Sequence, residues 1–232
     1  MSGSKLPTAG QAAVDAFLAK VRAAPTPVPA GHRGRLVFAL DATLSRQPTW
    51  DQATKLQAEM FRETQALGGL DLQLVYYRGF ADFYASPWLA ESGALLRHMT
   101  GVDCQGGQTQ IERMLAHTVD EAKAKRVAAL VFIGDAFEEN ADAVCRKAGE
   151  LGLLGVPVFV FHEGGGEQPA RVFREIARLS KGAYCPFDAG SARQLRELLS
   201  AVAVYAAGGR AALDHHAKKT GGAALLLTHR LG

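Results

Sequence analysis

The chain has 232 residues, of which 48% are hydrophobic and 21% are charged, and its formal net charge is +3. This length and apolar content suit one globular domain whose core needs no disulfide or metal, and they exclude a chain that is disordered throughout. The longest apolar runs, 127–133 and 156–161, have the length of strands and are too short to cross a membrane. The first residues lack the apolar core of a secretory signal.

Cysteine usage bears on the cellular compartment of the protein, and its charge distribution bears on the class of partner. Cys104, Cys145 and Cys185 have no spacing typical of a disulfide framework or a zinc site, which favours a reducing, cytoplasmic location. Lysine and arginine are in excess at the two ends of the chain, so the segment 36–207 carries a net negative charge. A folded body of this charge argues against nucleic acid as the partner.

The apolar pattern begins with a helix and continues with several strands. Segment 10–24 has apolar residues at helical spacing, and the proline-rich stretch 25–29 that follows is typical of a linker. Strands are predicted at 35–40, 70–77, 82–89, 127–134, 156–162 and 183–187. Segments 70–77 and 82–89 are expected to form a hairpin, and Pro87 places its second strand at an edge of the sheet.

Helices are predicted between these strands. Capping boxes are expected at Thr49 and at Thr109, and Asn140 is expected to cap a third helix. The predicted helical segments begin at Thr49 and Thr109 and also cover 91–99, 141–151, 169–180 and 191–205.

Continuous apolar strands that alternate with helices are typical of a parallel sheet covered on both faces. The sequence therefore predicts an α/β fold, with a Rossmann-like, doubly wound, mostly parallel sheet that has one antiparallel edge strand and helices on both faces. The predicted organisation is an N-terminal helix and linker at 1–34, a domain at 35–206 and a C-terminal tail at 207–232. The first helix is expected to pack on the domain, to cap an edge or to bind another chain.

Polar residues follow the strands at the points where an open parallel sheet binds ligands. Asp41, Thr43 and Ser45 come directly after the first strand at alternate positions, and Asp135 follows the central strand. A glycine-rich turn places Thr109 at the predicted start of a helix. Carboxylates and hydroxyls without histidine or cysteine favour Mg²⁺ (or Mn²⁺) over Zn²⁺.

This pattern resembles the metal-ion-dependent adhesion site (MIDAS) of von Willebrand factor type A (VWA) domains. D-x-T-x-S after the first strand, a threonine preceded by glycines and a later G-D occur in the family's order across about residues 35–206. Thr43 stands where the family usually has serine, and Gly-Asp-Ala replaces the more common Thr-Asp-Gly.

The resemblance implies a function as well as a fold. It implies a non-catalytic binding module in which a metal ion takes an Asp or Glu carboxylate from a partner protein. Since the first residues show no secretory signal, an intracellular adaptor or assembly role is expected. The residues that it implies as ligands of Mg²⁺ (or Mn²⁺) are Asp41, Thr43, Ser45, Thr109 and Asp135.

Two other interpretations of the same residues stay open. Thr43 and Ser45 are also typical of turns, and a helix cap at Thr109 needs no metal. The run FALDATL also resembles the first motif of haloacid-dehalogenase-like phosphatases, which makes a Mg²⁺-dependent phosphohydrolase the alternative function. That chemistry needs a nucleophilic aspartate and a second, acid–base aspartate, and one of these falls on Ala39 or on Thr43, depending on the alignment.

Six aromatic residues lie between Tyr76 and Trp88. Strand alternation sends about half of such residues inward, and an exposed remainder on an edge hairpin would form a recognition patch. Tyr77 and Trp88 are the residues expected to face outward.

Overall fold

The computed structural model describes residues 9–24, 33–187 and 192–220. The strands are β1 (Gly34–Asp41), β2 (Leu70–Arg78), β3 (Asp82–Ala85), β4 (Ala129–Gly134), β5 (Val158–Glu163) and β6 (Ala183–Phe187). The helices are α1 (Ala9–Ala23), α2 (Gln47–Thr64), α3 (Ser92–Met99), α4 (Ile111–Ala124), α5 (Ala141–Leu153), α6 (Glu167–Leu179) and α7 (Ala192–Thr220). Within these ranges, no helix is long and apolar enough to cross a membrane.

The described strands form one sheet in the order β3-β2-β1-β4-β5-β6. All neighbouring pairs are parallel except β2 and β3, which are antiparallel at one edge. Past β3, the chain interrupts its regular pairing around Pro87 and then exchanges two backbone hydrogen bonds between Leu72 and Leu89, each of 2.8 Å. The predicted fold class is therefore confirmed, including the antiparallel edge.

Helices cover both faces of the sheet because its central strands are apolar on both sides. In β1, Leu36 and Phe38 belong to one buried cluster and Val37 and Ala39 to the other. The first cluster includes residues of α1, α2, α3 and α7, and the second includes residues of α4, α5 and α6. Because the strands are buried on both faces, they are held in place by packing. Ligands of such a sheet bind at the loops that follow the carboxyl ends of its strands.

Helix α1 packs on the sheet as part of the first cluster. The ring of Phe17 lies 5.8 Å from that of Phe159 and 5.3 Å from that of Phe161, both in edge-to-face geometry. Arg22 forms an ion pair of 3.1 Å with Asp214 on α7. Of the three roles considered for the first helix, packing on the domain is the one that these contacts support, while the linker at 25–32 lies outside the described residues.

Helix α7 runs across the predicted boundary at 206/207. Gly209 interrupts it with a φ of 68°, and the helix then continues to Thr220 with Leu213 buried. Most of the predicted tail up to residue 220 is thus helical, whereas 221–232 lies outside the described part. The division into 1–34, 35–206 and 207–232 stays a prediction.

The structure confirms the predicted helix cap at Asn140 and contradicts the one predicted at Thr49. Asn140 accepts a hydrogen bond of 3.0 Å from the backbone N–H of Ala143, which confirms that cap. Helix α2 begins at Gln47, two residues before the predicted cap at Thr49, because a 3-10 turn at 44–46 leads directly into it. Thr49 donates its hydroxyl to Glu163 instead.

Candidate metal-binding site

Three of the predicted metal ligands lie at the carboxyl ends of two neighbouring strands. Strands β1 and β4 pair in parallel, with Leu40 opposite Ile133, so the residues that follow them emerge side by side. Ser45, in the 3-10 turn after β1, donates a hydrogen bond of 3.1 Å to Oδ2 of Asp135 after β4. The charge of Asp135 also raises the pKa of Asp41. The fold therefore brings Asp41, Ser45 and Asp135 into one site.

Asp41 is the most buried carboxylate of this site, with 2% of its surface exposed. Its Oδ1 accepts a hydrogen bond of 2.8 Å from the backbone N–H of Thr43, and its Oδ2 accepts one of 3.2 Å from the hydroxyl of Tyr77. Burial raises the pKa of Asp41 to about 6, the hydrogen bonds from Thr43 and Tyr77 oppose that rise, and the charge of Asp135 adds to it. Neutral donors hold this carboxylate in place without supplying a compensating positive charge.

Tyr77 lies beside Asp41 because the two residues are register partners on β1 and β2. Only 1% of its surface is exposed, and burial together with the neighbouring Asp41 carboxylate raises its pKa well above the usual value. The expectation that Tyr77 faces outward was wrong, since β2 is covered on both faces. Trp88 is also partly covered, by the guanidinium of Arg35 at 3.8 Å, whereas Phe80 at the hairpin turn is 79% exposed.

Asp135 has one engaged and one unengaged carboxylate oxygen. Its Oδ2 accepts from Ser45 and lies 3.2 Å from Nη2 of Arg46. Its Oδ1 is buried and has no hydrogen-bond partner among the described residues. A buried acceptor without a donor costs free energy, and a bound cation or an ordered water is the usual remedy.

The glycine-rich turn before α4 is tied to the loops after β1 and β2. The N–H of Gln105 donates to the carbonyl of Ala42 at 3.0 Å, and the N–H of Gln108 donates to the carbonyl of Gly79 at 3.0 Å. A Cβ atom on Gly107 would lie 1.8 Å from the carbonyl oxygen of Gly79, so only glycine allows this approach. These contacts position the turn that ends in Thr109.

Thr109 contacts the loop after β4, on which Asp135 lies. Its Oγ1 accepts a hydrogen bond of 3.2 Å from the backbone N–H of Glu138, and its own N–H donates to Glu138 Oε2 at 3.4 Å. The structure thus places Thr109 against the segment of Asp135, through Glu138, and gives no direct hydrogen bond between Thr109 and the Asp41, Ser45 or Asp135 side chains.

The predicted helix cap at Thr109 was wrong. Helix α4 begins at Ile111, and the carboxylate of Glu139 accepts from the backbone N–H groups of Ile111 and Glu112 at 2.6 and 2.8 Å. A carboxylate from the neighbouring loop therefore caps this helix, where its charge also favours the helix dipole. Among the described contacts Thr109 does not cap α4, so a helix cap does not explain why a threonine stands at this position.

The five predicted ligands fit a hard divalent cation by their chemistry. Among the described residues, no three His, Cys, Asp or Glu side chains gather closely enough to hold a metal ion by themselves. Any such ion must therefore draw on hydroxyls as well as on the carboxylates of Asp41 and Asp135, a mixture that Mg²⁺ and Mn²⁺ accept. The unpartnered Oδ1 of Asp135 is an open ligand for it.

Sequence reasoning missed two charged residues of the site. Arg46, directly after Ser45, is 8% exposed, and Glu163, the last residue of β5, is 5% exposed. The two form an ion pair. The sequence offered two signals, an arginine next to the D-x-T-x-S run and a glutamate at the end of a strand. The ion pair between them depends on the order of the strands in the sheet, so the local sequence could not predict it.

Comparison with known proteins identifies the fold. No protein-family model matches this sequence, and no curated protein is similar to it. The solved VWA domain of SpRpn10 matches over 76% of this chain and 97% of its own, with 11% sequence identity and a TM-score of 0.53. The pilus adhesin SpaC of Lactobacillus rhamnosus GG, in its open conformation, matches over 83% of this chain with 11% identity and a TM-score of 0.62.

A third similar structure carries an occupied site. Proximal thread matrix protein 1 of the mussel byssus, solved with a zinc-occupied MIDAS motif, matches over 75% of this chain with 14% identity and a TM-score of 0.58. This chain covers 48% of that protein and 31% of the SpaC chain. At these identities the likeness concerns the fold alone, which is the Rossmann-like fold of VWA domains.

Proposed function

We propose that this chain is a metal-dependent protein-binding module. Its site would take Mg²⁺ (or Mn²⁺) through Asp41, Thr43, Ser45, Thr109 and Asp135 and would bind an Asp or Glu carboxylate of a partner protein. We also propose a cytoplasmic adaptor or assembly role, on the ground that Cys104, Cys145 and Cys185 are free thiols.

One observation carries this proposal: two neighbouring carboxylates at the edge of β1 and β4, one of which has a buried oxygen without a donor. Asp41 is buried beside the negative charge of Asp135, and Oδ1 of Asp135 is buried without a donor. Such an arrangement costs stability in the absence of a cation and favours one when it is offered. A turn residue or a helix cap explains neither feature.

The protein's own residues have separate roles in this proposal. Asp41 is held by Thr43 and Tyr77, so its carboxylate is preorganised, and Ser45 orients Asp135. When bound, the cation would supply a coordination position open to a carboxylate oxygen from outside. The hydroxyls of Thr43, Ser45 and Thr109 add no negative charge, which leaves the site attractive to an anion.

Two similar proteins support the binding function over catalysis. A MIDAS motif occupied by zinc occurs in the mussel byssus protein, and SpaC is an adhesin. In one alignment the alternative phosphohydrolase requires a carboxylate where β1 has Ala39, which is 1% exposed and part of the apolar core. In the other alignment its acid–base position falls on Thr43, which has no titratable group.

The proposal is tested by capture of partner proteins from source-cell lysate on the immobilised chain. We expect specific proteins to be retained in Mg²⁺, to be released by EDTA and to be lost with Asp135→Asn, because the site then lacks a charged ligand. Asp142→Asn, an exposed change on α5, is the matched control and should capture as the wild type does.

Capture that survives both EDTA and Asp135→Asn would contradict a metal-dependent mode of binding. Mg²⁺-dependent turnover of phosphate esters that Asp41→Asn abolishes would instead favour the phosphohydrolase.

A further inference from the structure

Arg46 lies between two acidic side chains at the carboxyl edge of the sheet. Its Nη2 is 3.2 Å from Oδ2 of Asp135, after β4, and its Nη1 forms an ion pair with Oε2 of Glu163, at the end of β5. Its Nε donates a hydrogen bond of 3.4 Å to Oγ of Ser45. One guanidinium thus bridges two strands through their terminal carboxylates.

Two of the five proposed metal ligands are therefore engaged by the same cation of the chain itself. The oxygen of Asp135 that accepts from Ser45 is also the one that Arg46 contacts. A divalent cation at this carboxylate would stand close to the guanidinium, and the two like charges would repel each other. Arg46 and a metal ion at Oδ1 would therefore share the single negative charge of Asp135.

Glu163 holds the guanidinium from its other side. Its carboxylate is buried, and it also accepts a hydrogen bond from the hydroxyl of Thr49 in the first turn of α2. Arg46 comes immediately before α2, so both partners of Glu163 belong to the same short stretch of chain. Glu163 can hold the arginine when Asp135 releases it, without leaving a buried charge unpaired.

We propose that Arg46 is an internal counterion that competes with the divalent cation for Asp135, and that Glu163 keeps hold of the guanidinium when the cation binds. This inference rests on the proposed function and adds its regulation: Arg46 sets the metal affinity of the site.

The test is the affinity for Mn²⁺, measured by calorimetry on the full chain. We expect Arg46→Gln to bind Mn²⁺ at least tenfold more tightly than the wild type, because Asp135 is freed. Glu163→Gln should bind severalfold more weakly, because Arg46 then has only Asp135 as its partner. Both variants lose the same Arg46–Glu163 ion pair, so a purely structural role for that pair predicts the same change in both.

The double variant separates local competition from general electrostatics. Arg46→Gln combined with Glu163→Gln leaves the net charge unchanged and should still bind more tightly than the wild type, whereas a long-range charge effect predicts equal affinity. It also removes both members of the buried pair, which keeps the test available if a single variant fails to fold. Arg62→Gln, on the exposed side of α2, is the matched control and should leave the affinity unchanged.

The outcomes distinguish this inference from the proposed function. If the wild type binds Mn²⁺ and Arg46→Gln binds equally or more weakly, the competition is overturned while the metal site stands. If neither the wild type nor any variant without Arg46 binds Mn²⁺ at millimolar concentration, the proposed function fails and the inference fails with it. A site that binds Mn²⁺ only after Arg46→Gln supports both.

Discussion

In metal-free buffer at pH 7, Asp41→Asn is expected to be more stable than the wild type by about 3 kcal/mol, the equivalent of roughly two pKa units. The pKa of Asp41 is raised from 3.8 to about 6 by burial and by Asp135, so between these two values the folded chain keeps a proton that the unfolded chain has lost. Ionised Asp41 therefore costs folding free energy. That cost is absent below about pH 4, grows between pH 4 and 6, and is complete above pH 6. Asparagine has nearly the same shape and removes the charge.

The measurement is urea unfolding of both proteins in EDTA between pH 4 and 8. The difference between them should rise with pH through this window, and Asp120→Asn, an exposed change on α4, should show no such rise. If the free energies of unfolding of the wild type and Asp41→Asn change with pH in the same way, ionisation of Asp41 does not cost folding free energy.

Gly107→Ala is expected to disrupt the site through the backbone. Its Cβ would lie 1.8 Å from the carbonyl oxygen of Gly79, so the turn must move and lose the hydrogen bond that Gln108 donates to that carbonyl. Overpacking of this kind costs about 2 kcal/mol. Thr109 moves with the turn, and the affinity for Mn²⁺ should fall about tenfold, which corresponds to about 1.4 kcal/mol.

The neighbouring glycine supplies a matched control for that change. A Cβ on Gly106 would meet no atom within 4 Å, so Gly106→Ala should leave both stability and metal affinity close to those of the wild type. Urea unfolding and Mn²⁺ titration of the two variants test this contrast. If Gly107→Ala loses stability but keeps its full affinity for Mn²⁺, the position of Thr109 does not matter to the ion and Thr109 is not a ligand.

The sheet could be predicted because its signals are local. Strand β4 and the first four residues of β5 are apolar without interruption, which marks them as buried on both faces, and Pro87 placed the hairpin at an edge. Asp41 and Asp135 could be brought together because the carboxyl ends of parallel strands share one edge of the sheet.

What could not be predicted depends on contacts between distant loops. Thr49 resembles a helix cap in its local sequence, but its hydroxyl finds Glu163, 114 residues later. Helix α4 is capped by Glu139, which lies 28 residues after Ile111, the first residue whose N–H it accepts. The local sequence around Arg46 indicates only a turn. Its contact with Asp135 depends on β4 lying beside β1 in the sheet.

The central claim is that Asp41 and Asp135 hold a divalent cation, and Mn²⁺ binding followed by electron paramagnetic resonance tests it most directly. We expect one bound ion per chain in the wild type and none in Asp41→Ala, and we expect Mn²⁺ to raise the thermal stability of the wild type only. By mass action this rise is about 2.7 kcal/mol at a hundredfold excess over Kd. Wild-type affinity retained in Asp41→Ala would contradict the account, because the ion would then be bound elsewhere.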